Sequence, residues 1–559
     1  MGLVACLLAG CVKPDGKLSR PEAGRVHRKF QGDPEDLTAR GNEYANDAAA
    51  AELGRHLFFY KGFTVEETRG EDPVPTSCAS CHQPEHNFSD ARQTSIGASK
   101  KVLARRSPAL YQAFNRHFLF WDGRIDSLWA QALLPIEDID EMGSNRLRVV
   151  RKVASEPVLR QKYEHVFGAL PDLSSVPFED AWPCGKTPPR NVPTKAEQER
   201  QFDEVQGQQL GDPSQSSPEK IPDTEACPTE QEEWCENWKQ IPEGKRTEIT
   251  KAFVNVGKAI AAYETKIRSG NSRFDRMRAD VRQTRGRSYT DDEIRGLELF
   301  MGKGRCVRCH DGADLTDDAF HYLGIIDTKH ETAKPGDHLQ TSRSNWLEGA
   351  FILFEHEFSC FEAQKYGKAC NKKARRRLNS ARSVEQIITT RLGQRVVAGQ
   401  VRTPSLRNVA DNAFWMHNGD QTKALGFAVG FYNTRPRGPQ PVTVLRPDLV
   451  ARARTATDEP RKKRRHIRAF GSTDKGPLQK KIDRRARRIK LQRSEIEDIV
   501  AFLKTLSGEE IAEHWRTDPW ATGRRGPRPG PRSEPEPEPE AEPEPEPEPE
   551  ETLSTEPAE

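Results

Sequence analysis

The sequence has few apolar residues and no long apolar run. Of its 559 residues, 35% are hydrophobic and 31% are charged, and the mean hydropathy is −0.81. The longest apolar stretch, LVACLLAGCV at residues 3–12, is much shorter than the roughly 20 residues with which a helix crosses a bilayer. The composition therefore argues against a membrane-spanning protein, and it predicts folded cores that share the chain with long solvated segments.

Strand signals are scarce as well, so the sequence predicts a mainly α fold. The stretch AFVNVGKAIAAYE, residues 252–264, repeats its apolar residues at helical spacing. Thr290 and Glu293 form a capping box before a predicted helix that ends near residue 302, and a last helix is predicted over 494–506.

Charge is distributed unevenly along the chain. The formal net charge is +3, but residues 534–559 hold twelve Glu and no Lys or Arg, which leaves +15 on residues 1–533. The alternating Pro/Glu run in this tail repels itself and predicts an extended, disordered segment. The basic stretch within 461–490 is either a solvated loop or a docking surface for an acidic protein or anionic lipid. Nucleic acid is not predicted as a partner.

Changes of composition divide the chain into two compact regions with polar insertions. A leader and tether at 1–45 come first, followed by a first region at 46–287 with an insertion at 171–244. The second region is predicted at 288–510, with insertions at 329–399 and 435–490, and a disordered tail follows at 511–559. The final helix of the second region, 494–506, could instead pack on the first region.

The cysteines favour an exported protein. Leu8 to Cys11 reads LAGC, which resembles a bacterial lipobox with Cys11 as the lipidated residue, so we expect a lipid anchor in the periplasm. The alternative is a chance Leu/Ala-rich start. Five cysteines are suited to disulfides in an oxidising compartment, although their pairing stays open; they are Cys184, Cys227, Cys235, Cys360 and Cys370.

Two copies of the motif Cys-x-x-Cys-His carry the chemistry. Cys-x-x-Cys alone could be a thioredoxin-type redox pair or half of a zinc site, but neither copy has a second ligand pair nearby or a visible βαβ context. A histidine directly after the second cysteine marks covalent attachment of haem c, with that histidine as the iron ligand. We therefore predict two haems, one on Cys78, Cys81 and His82 and the other on Cys306, Cys309 and His310.

Several further motifs resemble those of the bacterial di-haem cytochrome c peroxidases, a family that includes MauG. They are ELGRHLFFYKGFT, SIGASKKVLARRSPAL, FWDGRIDSLWAQALLPIEDIDEMG, NSRFDR, GLELFMGKGRCVRCHDGADLTDDAFHYLG, TPSLRNVADNAFWMHNG, GFYN and AFLKTLSG, in family order. The resemblance implies two cytochrome-c-like haem domains, with the peroxidatic haem in the first region and the electron-transfer haem in the second.

The resemblance also implies roles for individual residues. Trp121 would relay electrons between the haems, Gln131 and Glu141 would line the peroxide pocket, and Pro135 would shape it. The chemistry agrees, since cleavage of the O–O bond needs a group that takes a proton from one oxygen and delivers it to the other. For Glu141 the alternative is a surface acid, and for Trp121 a core residue.

Four positions depart from the pattern of the classical enzymes. Ala98 follows SIG, where the classical enzymes have a histidine that caps the peroxidatic haem, so this haem should be open; His86 and His117 are weaker candidates for that ligand. Tyr432 is the expected distal ligand of the second haem, with Met416 as its rival. The family's calcium is doubtful because Arg106 stands at the ligating asparagine and Phe414 at the proline of the carbonyl segment.

The sequence thus predicts a periplasmic di-haem peroxidase that reduces hydrogen peroxide with electrons from a small cytochrome c or a copper protein. One alternative is a MauG-like enzyme that oxidatively modifies a protein substrate. The other, from a different class, is a non-catalytic electron-transfer cytochrome with both haems six-coordinate. A homodimer is an expectation from the resemblance alone.

Overall fold

The computed structural model describes most of the two predicted compact regions and little of the insertions. The described residues up to Trp520 belong to one compact unit, and no helix among them is long and apolar enough to cross a membrane. The described residues are 18–31, 41–64, 74–98, 100, 102–103, 105–138, 140–183, 229–323, 358, 400–419, 424–433, 440–441, 479–480 and 489–521.

Helices dominate this part of the chain, as the sequence predicts. Its strands form two short antiparallel pairs, Phe320–Tyr322 with Gln400–Arg402 and Gln440–Pro441 with Gln479–Lys480. The α-helices are Arg20–Phe30, Ala48–Phe59, Cys78–Cys81, Leu128–Glu137, Arg146–Ser155, Pro157–Phe167, Thr229–Gln240, Glu243–Glu264, Arg273–Thr284, Asp291–Met301, Leu425–Gly430, Arg493–Lys504 and Glu513–Arg516.

The first buried core is built around helix 243–264. This helix packs against helices 48–59 and 128–137, and the approach is close enough to require glycine at two positions. A Cβ on Gly54 would lie 1.9 Å from the carbonyl oxygen of Ala259, and a Cβ on Gly257 would lie 2.5 Å from that of Trp129. The periodic stretch 252–264 is therefore helical as predicted, although the helix begins nine residues earlier than that stretch.

The second buried core is assembled from helices 273–284, 291–301 and 493–504. Phe502 contacts both Phe274 and Phe300, with ring centroids 5.7 and 5.1 Å apart. Thr290 caps the second of these helices through the predicted capping box with Glu293, and the helix ends at Gly302. The last helix begins at Arg493 with Gln492 as its cap, slightly earlier than predicted.

The N-terminal segment differs from the predicted tether. Residues 18–31 carry a helix, Arg20–Phe30, that opens with a capping box between Ser19 and Glu22. Its buried residues join the second core, where the Phe30 ring lies 5.1 Å from that of Phe274. The predicted tether over 1–45 is wrong for residues 18–31, because every third or fourth residue of this basic segment is apolar and is buried. The lipobox lies outside the described residues.

The C-terminal segment also departs from the prediction. Helix 493–504 packs on helix 291–301 and, through Phe502, on Phe274 of helix 273–284. Helix 273–284 was predicted within the first region, but it belongs to the second core. The first ten residues of the predicted disordered tail, 511–520, fold against the first core instead. There the Tyr263 hydroxyl donates to the carbonyl of Trp515 at 2.6 Å, and the Trp520 indole N–H donates to that of His56 at 2.8 Å. Residues 522–559 lie outside the described part.

The described ends of the predicted insertions are well anchored. In the 171–244 segment, Val176, Ala181 and Trp238 are buried, so its ends contribute to the core and are not purely a surface excursion. The paired strands 320–322 and 400–402 bring together the two ends of the 329–399 insertion. Cys235 is disulfide-bonded, and its partner lies outside the described residues because the other described cysteines are free.

Candidate functional site

The first Cys-x-x-Cys-His motif forms one short helical turn that ends at its histidine. Helix Cys78–Cys81 is closed by a hydrogen bond from the His82 amide to the Cys78 carbonyl at 2.8 Å. The His82 Nδ1 then lies 3.0 Å from the carbonyl oxygen of Phe88. Because a carbonyl can only accept, Nδ1 carries the proton and Nε2 keeps its lone pair.

The second motif repeats this arrangement in the other half of the molecule. A 3₁₀ turn at Cys306–Arg308 is followed by a hydrogen bond from the His310 amide to the Cys306 carbonyl at 2.9 Å. The His310 Nδ1 lies 3.1 Å from the carbonyl oxygen of Leu315. Both histidines are therefore held by a carbonyl a few residues further along the chain, with Nε2 as the free ligand atom.

These two sites fit covalently attached haem better than a thioredoxin-type redox pair. Burial lowers the pKa of His82 and of His310, which favours the neutral imidazole that binds iron. Burial raises the pKa of Cys81 and of Cys306 to about 12, and it raises that of Cys78 as well. A thioredoxin-type site needs a reactive thiolate, and thus a lowered pKa, whereas a cysteine that forms a thioether to haem does not.

One further group of ligand atoms lies beside the second motif. Atoms of Cys309, Asp317 and His321 lie within 4.8 Å of one another. His321 Nε2 and the Asp317 carboxylate are already paired at 2.9 Å, and this hydrogen bond contributes to lowering the pKa of Asp317 against the opposing effect of burial. Because Cys309 belongs to the haem motif, the Asp317–His321 pair is better explained as support for that motif.

Glu141 lies in a turn that folds back onto the end of helix 128–137. The Met142 amide donates to the carbonyl of Pro135 at 3.2 Å, and the Ser144 amide donates to that of Ile136 at 3.0 Å. Pro135, the residue predicted to shape the pocket, thus sits within the helix and anchors the turn through its carbonyl. Gln131 lies one turn before it, half-buried, and its predicted role stays a prediction.

The SIGA segment, residues 95–98, packs directly on this turn. The amide of Ala98 donates to the carbonyl of Glu141 at 2.7 Å, and a Cβ on Gly97 would lie 1.7 Å from the carbonyl oxygen of Asp140. Ala98 itself is 1% exposed. The structure therefore brings together two positions that the sequence had singled out separately, the predicted peroxide-pocket residue Glu141 and Ala98, which stands where a capping histidine was expected.

The Glu141 carboxylate lies in the neighbourhood of the first motif and beside one arginine. After burial, its charge is among the smaller causes that raise the pKa of Cys78 and of Cys81. One of its oxygens lies 3.9 Å from Nη2 of Arg124, whose guanidinium stacks 3.5 Å from the centre of the Phe120 ring. A carboxylate, a cation and the predicted haem 1 motif thus share one neighbourhood.

Trp121 connects segments that belong to the two motif-bearing regions. Its indole N–H donates to the carbonyl of Arg106 at 2.8 Å, and its own carbonyl accepts from the amide of Arg402 at 2.9 Å. The Trp121 ring lies 6.0 Å from that of His417. This placement is compatible with the predicted relay, which stays a prediction.

The two candidates for the distal ligand of the second haem lie on different segments. Tyr432 is part of a 3₁₀ turn, Phe431–Asn433, that directly follows helix 425–430. Met416 has a φ of +68° and packs against the second core. The described contacts do not decide between them, so Tyr432 remains the predicted ligand and Met416 its rival.

An ionic cluster between residues 115–117 and 314–318 was not predicted. Arg116 and Asp314 pair at 2.7 Å with both side chains at least nine-tenths buried. His117 contacts the carboxylate of Asp318 at 3.2 Å through Nδ1 and at 2.8 Å through its amide. The sequence could not predict this cluster, because its two halves are about 200 residues apart along the chain and share no motif.

Comparisons with known proteins point to one family. Residues 48–182 match the family model described as "Di-haem cytochrome c peroxidase". The chain is 25% identical over 273 residues to "Methylamine utilization protein MauG" of Methylorubrum extorquens, covering 49% of this chain and 52% of that protein. It is 24% identical over 401 residues to "Cytochrome-c peroxidase IdrP2" of Denitromonas iodatirespirans, covering 71% and 77%.

A solved structure described as "a MauG-like protein associated with microbial copper homeostasis" aligns with 87% of this chain and 98% of its own. The sequence identity is 19% and the TM-score is 0.46. The chain spans about half the length of this MauG relative. The resemblance seen in the motifs is confirmed: through residues 48–182, this chain is a relative of the di-haem cytochrome c peroxidases and MauG.

Proposed function

We propose that this protein is a di-haem c-type peroxidase that reduces hydrogen peroxide to two waters, using two electrons and two protons. The single observation that supports this best is the contact between Ala98 and Glu141. A buried methyl group stands where the classical relatives have a capping histidine, and it is tied to the backbone of the residue proposed as the acid–base group. The haem on His82 would then accept peroxide without prior reductive activation.

The two haems, when bound, supply the redox chemistry, and the protein supplies proton transfer and positioning. The Glu141 carboxylate takes a proton from the nearer oxygen of peroxide and returns it to the departing oxygen, which leaves as water. The Gln131 amide orients the peroxide by hydrogen bonding. Arg124, with Nη2 3.9 Å from a Glu141 oxygen, places a positive charge beside this carboxylate.

Electrons for this reaction come from outside the molecule. We propose that a small cytochrome c or a copper protein delivers them near His310, and that the Trp121 indole carries them between the two sites. The hydrogen bonds from its indole N–H and to its carbonyl restrain the ring on both sides. Tyr432 as an anionic ligand to the second haem would stabilise the oxidised iron.

A second candidate is a MauG-like enzyme that oxidatively modifies a protein substrate. It is favoured by Ala98 and Tyr432 together, and by the 25% identity to MauG over half of that protein. A non-catalytic electron-transfer cytochrome is the third. We further propose export to the periplasm with a lipid anchor on Cys11, which lies outside the described residues, and possible assembly as a homodimer.

Electron paramagnetic resonance of the ferric protein separates the enzymes from the carrier. An open haem 1 gives a high-spin signal beside one low-spin signal, whereas two low-spin signals would contradict the proposal. Covalent attachment is checked by haem staining after denaturation, with the double variants Cys78→Ala/Cys81→Ala and Cys306→Ala/Cys309→Ala each expected to lose one of the two haems.

Steady-state oxidation of reduced cytochrome c by peroxide then tests the catalytic role. Glu141→Gln keeps the size of the side chain but removes its base, and we expect kcat/KM for peroxide to fall by on the order of 100-fold or more. Glu164→Gln, an exposed acid in the same region, is the matched control and should leave turnover unchanged. Equal activity of the two variants would refute the role of Glu141. A high-spin signal from haem 1 in a protein that oxidises neither cytochrome c nor a copper protein would favour the MauG-like alternative.

A further inference from the structure

Arg106 is a buried cation whose side chain is bound by backbone carbonyls. It is 4% exposed, and its Nη1 donates to the carbonyl of Asp90 at 2.9 Å and to that of Arg92 at 3.0 Å. Its guanidinium also lies 5.5 Å from the centre of the Phe414 ring. Burial lowers the pKa of Arg106 to about 10, so the side chain is still charged at neutral pH.

The backbone of the same residue holds the indole of Trp121 and the segment beyond it. The Arg106 amide donates to the carbonyl of His417 at 2.9 Å, and the Arg106 carbonyl accepts the indole N–H of Trp121 at 2.8 Å. Side chain and backbone of this one residue therefore join three segments, 90–92, 121 and 414–417. A shift at Arg106 would be transmitted to the indole through a direct hydrogen bond.

This geometry disagrees with the calcium that the family resemblance implies. Calcium in the family needs an asparagine oxygen and two backbone carbonyls, yet Arg106 offers only donors. The residue at the proline of the carbonyl segment, Phe414, contacts the same guanidinium as a cation–π partner. A divalent cation placed here would meet a fixed positive charge, so the described residues do not fit calcium.

We propose that the guanidinium of Arg106 is a permanent cation in place of a bound calcium, and that Arg106 is a positioning residue for Trp121. The chain thereby performs without a metal what its relatives are expected to do with one, namely neutralise converging carbonyl dipoles at the junction of the three segments. Only the kinetic consequence rests on the proposed relay function; the metal independence does not.

The first test uses the unmodified holoprotein. After passage through a chelating buffer, we expect no calcium by elemental analysis and no change in the melting temperature, with or without added millimolar calcium. One retained calcium per chain, or a melting temperature that falls with chelator and recovers with calcium, would overturn the proposal. Because this test needs no turnover, it stands even if the peroxidase proposal fails.

The second test uses variants at this position. Arg106→Asn supplies an oxygen ligand and removes the charge, so its melting temperature should rise on addition of calcium where that of the wild type does not. Arg106→Met should slow electron redistribution between the haems about 10-fold in stopped-flow reduction, with the high-spin signal of haem 1 unchanged and with recovery in Arg106→Lys.

The matched control is Arg151→Met. Arg151 donates to the backbone carbonyls of Val176 and Phe178 in the first core. The Arg151→Met variant therefore also loses two hydrogen bonds from a guanidinium to backbone carbonyls, but not beside Trp121. We expect Arg151→Met to lower the melting temperature without slowing electron redistribution. The positioning role is refuted if the Arg106→Met and Arg151→Met variants transfer electrons at the same rate.

Discussion

Glu264 offers a quantitative test of the structure through the pH dependence of stability. It is the last residue of helix 243–264, it is 4% exposed, and its Oε2 is buried with no hydrogen-bond partner among the described residues. Burial raises the pKa of Glu264 to about 8 from its ordinary value of 4.5. The folded protein therefore keeps this carboxyl protonated over a range in which the unfolded chain releases the proton.

The sign and the size of the effect follow from this difference. Between pH 4.5 and about 8 the folded state binds one more proton than the unfolded state, so the free energy of unfolding falls as the pH rises. A difference of about 3.5 pH units at 1.36 kcal/mol per unit corresponds to about 5 kcal/mol, as an order of magnitude. Glu264→Gln removes the titration while keeping the shape, so this variant should gain stability relative to the wild type as the pH rises.

The assay compares melting temperatures of the holoproteins from pH 5 to pH 9. We expect the difference between Glu264→Gln and wild type to grow in favour of the variant up to about pH 8 and then to level off. Glu248→Gln, an exposed position on the same helix, is the control and should show no such trend. If the difference in melting temperature between Glu264→Gln and wild type is the same at pH 5 and pH 8, Glu264 does not titrate as its burial requires.

Three further predictions concern other parts of the structure. Asp314→Asn should cost about 3–5 kcal/mol in urea unfolding because it leaves the Arg116 charge buried and unpaired, and a cost below 1 kcal/mol would contradict the described ion pair. Ala98→His should convert the ferric high-spin signal to low-spin; persistence of the high-spin signal would mean that this position does not face the iron. Trp520→Ala should cost about 2–3 kcal/mol through the lost bond to His56 and lost packing, whereas deletion of 522–559 should leave the melting temperature unchanged.

Local signals in the sequence predict an element correctly where that element depends on residues close together along the chain. The capping box at Thr290 and Glu293 predicts the start of its helix because both partners lie within one turn. The same signal at Ser19 and Glu22 was overlooked because its basic surroundings resemble a tether. The contribution of Trp515 and the residues after it was beyond sequence reasoning, since their partners are more than 200 residues away.

The candidate site likewise contains residues that a local motif predicts and contacts between distant segments that no motif predicts. The predicted haem-binding residues follow from Cys-x-x-Cys-His, because covalent attachment of haem c uses that spacing. The hydrogen bond between Ala98 and Glu141 and the placement of Arg106 on two distant carbonyls depend on how loops meet in three dimensions. No periodicity or composition encodes such meetings, so sequence reasoning could name the positions but could not join them.

The clasp formed by residues 511–520 bears on the order in which the molecule can mature. Helix 48–59 lies near the start of the described chain, but the segment that covers it comes after the whole second core. The first core is therefore completed only by the last described residues. A helix 48–59 that forms earlier leaves the Arg55 guanidinium and the His56 carbonyl without these two partners.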